Sequence, residues 1–297
     1  MAVSTSSPSD PDLPAEPSGH RTADRAVFWY GCNMTRHGEV IRATTRILDL
    51  VGIEAAPAGG PAHCCGSPKE ASARIAEGMA RRTVEAFNAS GRDTVVTWCP
   101  SCHMNMQDGM APVTPTNFET VHVTEALWAR RDRLAPLLAR PLEARVLVHV
   151  HHGFNGRVAV NEMVPGLLRL IPGVTVLEHP YRAPGHMCSS IAAVPGALAD
   201  AQRATLAAMA EVGADTLVTI FHSCHRESAA LERHGIRVRN WIHLLAESLG
   251  IPAEDEYKAW RNAEDPRAAV GEARIAAAGE TVFTRLLEPE LRRPPTV

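Results

Sequence analysis

One stretch of this chain occurs twice. Gly91-Arg92-Asp93-Thr94-Val95-Val96-Thr97-Trp98-Cys99-Pro100-Ser101-Cys102-His103 returns as Gly213-Ala214-Asp215-Thr216-Leu217-Val218-Thr219-Ile220-Phe221-His222-Ser223-Cys224-His225, an offset of about 122 residues. The same offset carries His63-Cys64-Cys65-Gly66-Ser67 onto Gly185-His186-Met187-Cys188-Ser189, and the apolar run before Cys32 onto the run ending near His149. Two copies of one ancestral half explain this. Whatever the chain folds into must be buildable twice.

Each copy opens on a short β-branched or aromatic run, Ala26–Tyr30 and Val146–Val150, read as a buried strand. A helix follows at Glu39–Val51, with Ile41, Ile47, Leu48 and Val51 on a helical stripe and Gly52 as its stop; Met163–Ile171 is the counterpart. After the Gly/Pro loop Pro57–Pro61 comes an amphipathic helix from about Lys69 to Asn88, matched by Ala197–Val212. A second strand, Thr94–Trp98 or Thr216–Ile220, leads into the repeated motif. Strands alternating with helices imply an α/β fold of two tandem pseudo-symmetric Rossmann-like halves with mainly parallel sheets. The expected divisions are a disordered Ser/Pro-rich leader at 1–22, a first half at 23–140, a second half at 141–250, and a helical C-terminal extension and tail at 251–297. Helices are expected there at Glu254–Asn262 and Ala268–Leu287, before a loose Pro-rich end.

The chain has 297 residues, and its net charge of −3 with few aromatics gives no footprint for nucleic acid. Its apolar runs are too short for a transmembrane helix. There is no Gly-x-Gly-x-x-Gly fingerprint after a strand and no Gly-x-Ser-x-Gly elbow, so dinucleotide binding and hydrolase chemistry lack support. Seven cysteines are an odd set for a disulfide framework, and five of them fall between positions 32 and 102. Metal or redox chemistry in the cytoplasm fits better.

Those five read Cys32, then Cys64-Cys65-Gly66, then Cys99-Pro100-Ser101-Cys102. Iron and sulfide are soft partners for thiolate, and a cluster needs several cysteines brought from different loops. Loops leaving the carboxyl ends of parallel strands gather on one edge of a sheet, so the five thiols can meet there. Structural zinc is an alternative, although four ligands satisfy zinc and a fifth cysteine would be spare. Packing cysteines without a ligand are the other.

This constellation, Cys32, Cys64-Cys65-Gly66 and Cys99-x-x-Cys102, resembles the cysteine-rich CCG domain found twice in the B subunit of heterodisulfide reductase and its relatives, among them lactate-utilisation and glycolate oxidase iron–sulfur subunits. The resemblance covers roughly Ala26–Leu249. It implies a noncubane [4Fe-4S] cluster on Cys32, Cys64, Cys65, Cys99 and Cys102, where the sulfur of a bound substrate is cleaved or converted. It also implies partners, a ferredoxin-like iron–sulfur subunit and a flavoprotein subunit, to carry electrons.

The second copy departs from the pattern. Only Cys188 and Cys224 survive; Phe221 stands for Cys99, and Gly153 or Phe154 for Cys32. Histidines have accumulated instead: His149, His151, His152, His186, His222 and His225. A mixed site, most simply zinc on Cys188, Cys224 and two of His151, His152, His186 and His222, is one reading. A reactive thiol pocket on Cys188 or Cys224 is another, and a decayed site of packing residues a third. His103 and His225, in equivalent places, suggest a helix-start or supporting role. Arg36 and Arg157 could meet an anionic substrate or form surface salt bridges.

The expected function is a catalytic iron–sulfur subunit of a heterodisulfide-reductase-like complex, acting on a disulfide, persulfide or related sulfur substrate, small or protein-bound, with sulfur oxidation among the settings. The alternatives are an electron-transfer iron–sulfur subunit of a lactate- or glycolate-type oxidoreductase and a zinc-stabilised interaction module.

Overall fold

A computed structural model describes residues 24–66, 72–152 and 157–297. The leader, the start of the Lys69–Asn88 helix and the Cys32 equivalents Gly153 and Phe154 lie outside these residues.

The first half comprises β1 (Arg25–Gly31), α1 (Gly38–Leu50), β2 (Glu54–Gly59), α2 (Ala73–Ala89), β3 (Thr94–Thr97), α3 (Pro100–Asn105), β4 (Glu119–His122), α4 (Val123–Trp128) and the single turn α5 (Arg131–Leu134). The second half repeats the plan with β5 (Ala144–His149), α6 (Val160–Leu168), β6 (Val174–Leu177), α7 (Cys188–Ile191), α8 (Ala197–Val212), β7 (Thr216–Thr219), α9 (His222–Ser228), β8 (Arg237–Asn240) and α10 (Trp241–Ser248). Each half builds one four-stranded sheet, ordered β2-β1-β3-β4 and β6-β5-β7-β8. Every strand pair is parallel. Parallel neighbours need crossovers, and the helices supply them. The fold is therefore α/β and duplicated, as the repeat requires.

Alternation along the central strands decides what faces what. In β1, Ala26 and Phe28 join the core shared by the two halves, while Val27 and Trp29 pack with Ala80, Val84 and Phe87 of α2. In β5, Val146 and Val148 face the shared core, while Leu147 packs with Ala208 and Met209 of α8. These strands are covered on both faces, so they read as unbroken apolar runs. Between the sheets lies a layer of α1, α4, α6 and α10, in which α1 meets α10 and α4 meets α6. The halves share one core.

Beyond Gly250 come α11 (Glu256–Asn262), α12 (Pro266–Val270), α13 (Glu272–Ala278), α14 (Glu280–Val282) and α15 (Glu288–Leu291), with a wider π-helical turn at Phe283–Leu287. The single helix expected over Ala268–Leu287 is broken where Gly271 and Gly279 take φ of +86° and +96°, which no helix accommodates. Tyr257, Val270, Ile275, Phe283 and Leu291 form a small separate core. The Pro-rich end is held: Val297 packs beside Leu231 and Val238, and Arg293 pairs with Glu227 at 3.3 Å. Among the described residues no helix is long and apolar enough to cross a membrane.

Candidate metal–sulfur centres

The first site sits at the carboxyl edge of the first sheet. Cys32 directly follows β1, Cys64 and Cys65 follow the short turn Pro61–His63 beyond β2, and Cys99 and Cys102 lie at and inside the start of α3. Cys64 Sγ is 3.7 Å from Cys32 Sγ. A Cβ placed on Gly31 would lie 3.2 Å from Cys102 Sγ and 3.4 Å from Cys99 Cβ, so the end of β1 passes directly under the Cys-x-x-Cys turn. Three strand-end segments thus deliver five thiols to one place. Cys64, Cys65 and Cys102 are buried; Cys32 and Cys99 are partly exposed and form the open side.

The backbone beneath the adjacent pair is pinned. Trp29 Nε1 donates to His63 O at 2.8 Å, Thr83 Oγ1 to Cys64 O at 3.0 Å, and Asn105 Nδ2 to Cys65 O at 2.7 Å. Gly66 turns the chain with φ +86° and sends its N–H toward Cys64 Sγ at 3.5 Å.

Crowded thiols resist ionising together. Burial, then the neighbouring Cys64, pushes Cys32 up to about 12. Hydrogen bonds to Cys65 and Cys99, then burial, push Cys102 up. Cys99 goes down instead, because Cys102 donates to it and the backbone N–H groups of Cys102 and Ser101, at the start of α3, point at its sulfur. A site that piles thiols together at such electrostatic cost is one in which bound cations offset the repulsion.

The second site lies at the matching edge of the second sheet. His149 Nε2 is 3.2 Å from Cys188 Sγ, and His151 Nε2 is 3.6 Å from Cys188 Sγ and 3.3 Å from Cys224 Sγ. One ligating atom from each of these four residues lies within 4.8 Å of the others, and all four are buried. Both imidazoles have an outer partner: His151 Nδ1 donates to Pro184 O at 3.0 Å, which leaves Nε2 free to face sulfur, and His149 Nδ1 meets Thr205 Oγ1 at 3.5 Å. Burial alone would raise the Cys224 thiol, but the hydrogen bond from Cys188 and the nearby His151 hold it well below the ordinary thiol value. Burial would lower His151, yet Cys224 raises it. The Cys224–Cys188 hydrogen bond and burial keep Cys188 protonated to high pH.

Of the residues singled out in sequence, Cys188, Cys224 and His151 come together. His152 and His186 are exposed, and His222 is buried against His37 with ring centroids 6.4 Å apart. His149 takes the remaining place. Its signal was available, since His149 and His151 are two apart at the end of a strand and so share a face, whereas His152 points the other way. His103 and His225 repeat each other: their Nδ1 atoms meet Thr97 Oγ1 at 3.0 Å and Thr219 Oγ1 at 3.2 Å. Arg36 pairs with Glu290 at 3.0 Å and Arg157 with Asp108 at 2.7 Å.

Residues 26–107 match the cysteine-rich domain CCG. The matched segment carries all five thiols of the first edge, and the His/Cys group of the second edge is one that could hold a metal ion. The chain is 25% identical over 258 residues, 80% of its length, to the D subunit of the dihydromethanophenazine:CoB–CoM heterodisulfide reductase of Methanosarcina acetivorans. It is 24% identical over 243 residues, 76% of its length, to the same subunit of Methanosarcina barkeri. The chain spans 63% and 59% of the length of these two relatives. Two solved structures, allantoin racemase from Pseudomonas fluorescens and Picrophilus torridus aspartate racemase, each align with a TM-score of 0.31 at 13% identity, covering 77% and 78% of this chain and 93% and 98% of theirs. At that score the likeness carries no weight for fold or function.

Proposed function

We propose that the protein is an iron–sulfur redox subunit of a heterodisulfide-reductase-like complex, with Cys32, Cys64, Cys65, Cys99 and Cys102 holding one noncubane [4Fe-4S] cluster. The observation that carries this reading is the meeting of five thiols from three strand ends, one more than a zinc ion takes. The donor set is all sulfur and soft, as iron–sulfur centres require. When bound, such a cluster supplies one-electron redox capacity and iron positions with affinity for sulfur.

The chain's own residues set the access. Cys32 and Cys99 border the open side, and Cys64, Cys65 and Cys102 form the floor. A disulfide, persulfide or related sulfur compound, small or presented by another protein, approaches from that side, in sulfur oxidation among other settings. Electrons come from or pass to partner chains, a ferredoxin-like iron–sulfur subunit and a flavoprotein subunit, in the cytoplasm. The similarity to the D subunit of heterodisulfide reductase supports this reading.

In the second half we assign His149, His151, Cys188 and Cys224 to a closed zinc site. Four buried ligands of mixed nitrogen and sulfur, each histidine with an outer partner, match a structural zinc centre. Asymmetry between the halves follows: one edge for redox chemistry, the other for architecture.

The test of substrate access is the response of the oxidised, anaerobically purified protein to added thiols. A thiol-dependent change in its electron paramagnetic resonance spectrum is expected. A spectrum indifferent to thiols contradicts the catalytic role and favours an electron-transfer subunit of the lactate or glycolate oxidase kind.

A further inference from the structure

A third cluster of ligating side chains lies where the second half meets the C-terminal helices, beside the second edge, since His225 directly follows Cys224 in α9. His225 Nε2 is 2.9 Å from Asp255 Oδ2, and His243 Nδ1 is 3.5 Å from the same oxygen. One ligating atom from each of the three residues lies within 4.8 Å of the others. His225 and His243 are buried, and Asp255 is nearly so. We propose that His225, His243 and Asp255 hold a divalent transition-metal ion, with one coordination position left open.

The hydrogen bonds around the triad prepare both rings for an ion. Thr219 Oγ1 donates to Arg239 O at 3.3 Å, so it accepts from His225 Nδ1–H and leaves the Nε2 lone pair facing Asp255. The first copy shows what the neutral arrangement looks like: His103 uses the same threonine contact, but its Nε2 meets the Gln107 amide at 3.1 Å. In the second copy a carboxylate stands where that amide donor would be, so a cation, either a proton or a metal ion, belongs between Nε2 and Asp255.

His243 has the complementary arrangement. Its Nε2 lies 3.7 Å from Glu39 Oε1, and neither that nitrogen nor either Glu39 oxygen has a hydrogen-bond partner among the described residues. With Nδ1 on an ion, Nε2–H points at Glu39, the carboxylate–histidine–metal relay that orients such ligands. The backbone N–H of Asn240 donates to Nδ1 at 3.3 Å in the cap of α10, a bond that an ion on Nδ1 displaces. Asp255 is oriented as the cap of α11, accepting from Lys258 N at 3.2 Å. The Lys258 ammonium, 3.5 Å from Asp255, is drawn aside by Glu232 Oε1 and Val238 O, each at 2.8 Å.

An ion also needs a way in. A cavity of about 360 Å³ opens beside the triad, with His243 and Asp255 in its wall and Arg140, Arg239, Glu247 and Glu254 around it. Two imidazoles and one carboxylate suit zinc or iron(II) rather than a hard magnesium-type ion, and three protein ligands leave a position free.

The test uses crystals of the whole protein equilibrated with Zn²⁺ and data collected at the zinc edge, with zinc per chain measured in parallel on wild type, His243→Gln and Asp255→Asn. An anomalous peak about 2.0–2.2 Å from donors of all three residues, and a drop of about one zinc per chain in both variants, are expected. Either no peak at the triad, or equal zinc in wild type and a variant that folds, overturns the proposal and leaves a buried imidazolium–carboxylate pair.

Discussion

The indoles of Trp98 and Trp241, one from each half, stack with centroids 5.9 Å apart and planes 13° from parallel. Trp98 is the residue before Cys99, and Trp241 opens α10, so the contact ties the cluster loop to the core shared by the halves. Both rings are buried. Truncating a buried tryptophan costs about 3–5 kcal/mol. Trp241→Ala is expected to lose stability on that scale in denaturant unfolding and to lower iron content, because the Cys99 loop loses its backing.

Gly66 and Gly31 are narrow points of the first site. A Cβ on Gly66, at φ +86°, would fall 2.7 Å from the backbone oxygen of Ala76. The left-handed backbone alone costs about 1–2 kcal/mol for a residue with a Cβ, and the clash adds to it. Gly66→Ala is expected to lower both the melting temperature and iron per chain. Gly31→Ala, at φ +79°, carries the same backbone cost, and its new methyl group meets Cys102 Sγ and Cys99 Cβ, so it too is expected to lower both stability and iron per chain.

Zinc at the second edge should depend on His149 as much as on the cysteines. His149→Ala and Cys188→Ser are each expected to lose about one zinc per chain, the content of one four-ligand site, and to keep the iron of the first half. His186→Ala, on the exposed residue, is expected to change neither; elemental analysis of the three variants checks this.

Acid should loosen the fold before carboxylates titrate. His122 is buried, with Nε2 against Trp98 O at 2.9 Å and Nδ1 against Thr124 Oγ1 at 2.8 Å. Burial, then the neighbouring His103, lowers it to about 3 from 6.5; burial likewise lowers His37 to about 4. The folded protein keeps these rings neutral while the unfolded chain protonates them near 6.5. Stability is thus complete above about pH 6.5 and falls as pH drops toward 4, by up to about 1.4 kcal/mol per pH unit for each ring. Urea unfolding at pH 7.5 and 5.5 reads the slope, and His122→Gln should make it shallower.

Much of this is legible in the sequence. The repeat implies two like halves, and Cys32, Cys64–Cys65 and Cys99–Cys102 converge because parallel strands deliver their loops to one edge. Strand alternation favours His149 over His152, but the two copies diverge just beyond, at Gly153 and Phe154, and with no cysteine there to anchor the register the choice among the histidines stays open. The shared layer of α1, α4, α6 and α10 is not readable, since an amphipathic stripe says that a face is buried and not against what. Nor is the triad of His225, His243 and Asp255, which joins residues 30 apart through the capping of α11. Gly271 and Gly279 are visible in the sequence and mark where the C-terminal helix breaks.

Iron, acid-labile sulfide and zinc per chain, measured on protein purified without oxygen, bear most directly on the whole reading. About four iron and four sulfide are expected, with zinc present besides, and serine at any one of Cys32, Cys64, Cys65, Cys99 or Cys102 should lower iron and sulfide together. Zinc without iron or sulfide, in protein never exposed to air, would contradict the redox function and leave a structural metal module.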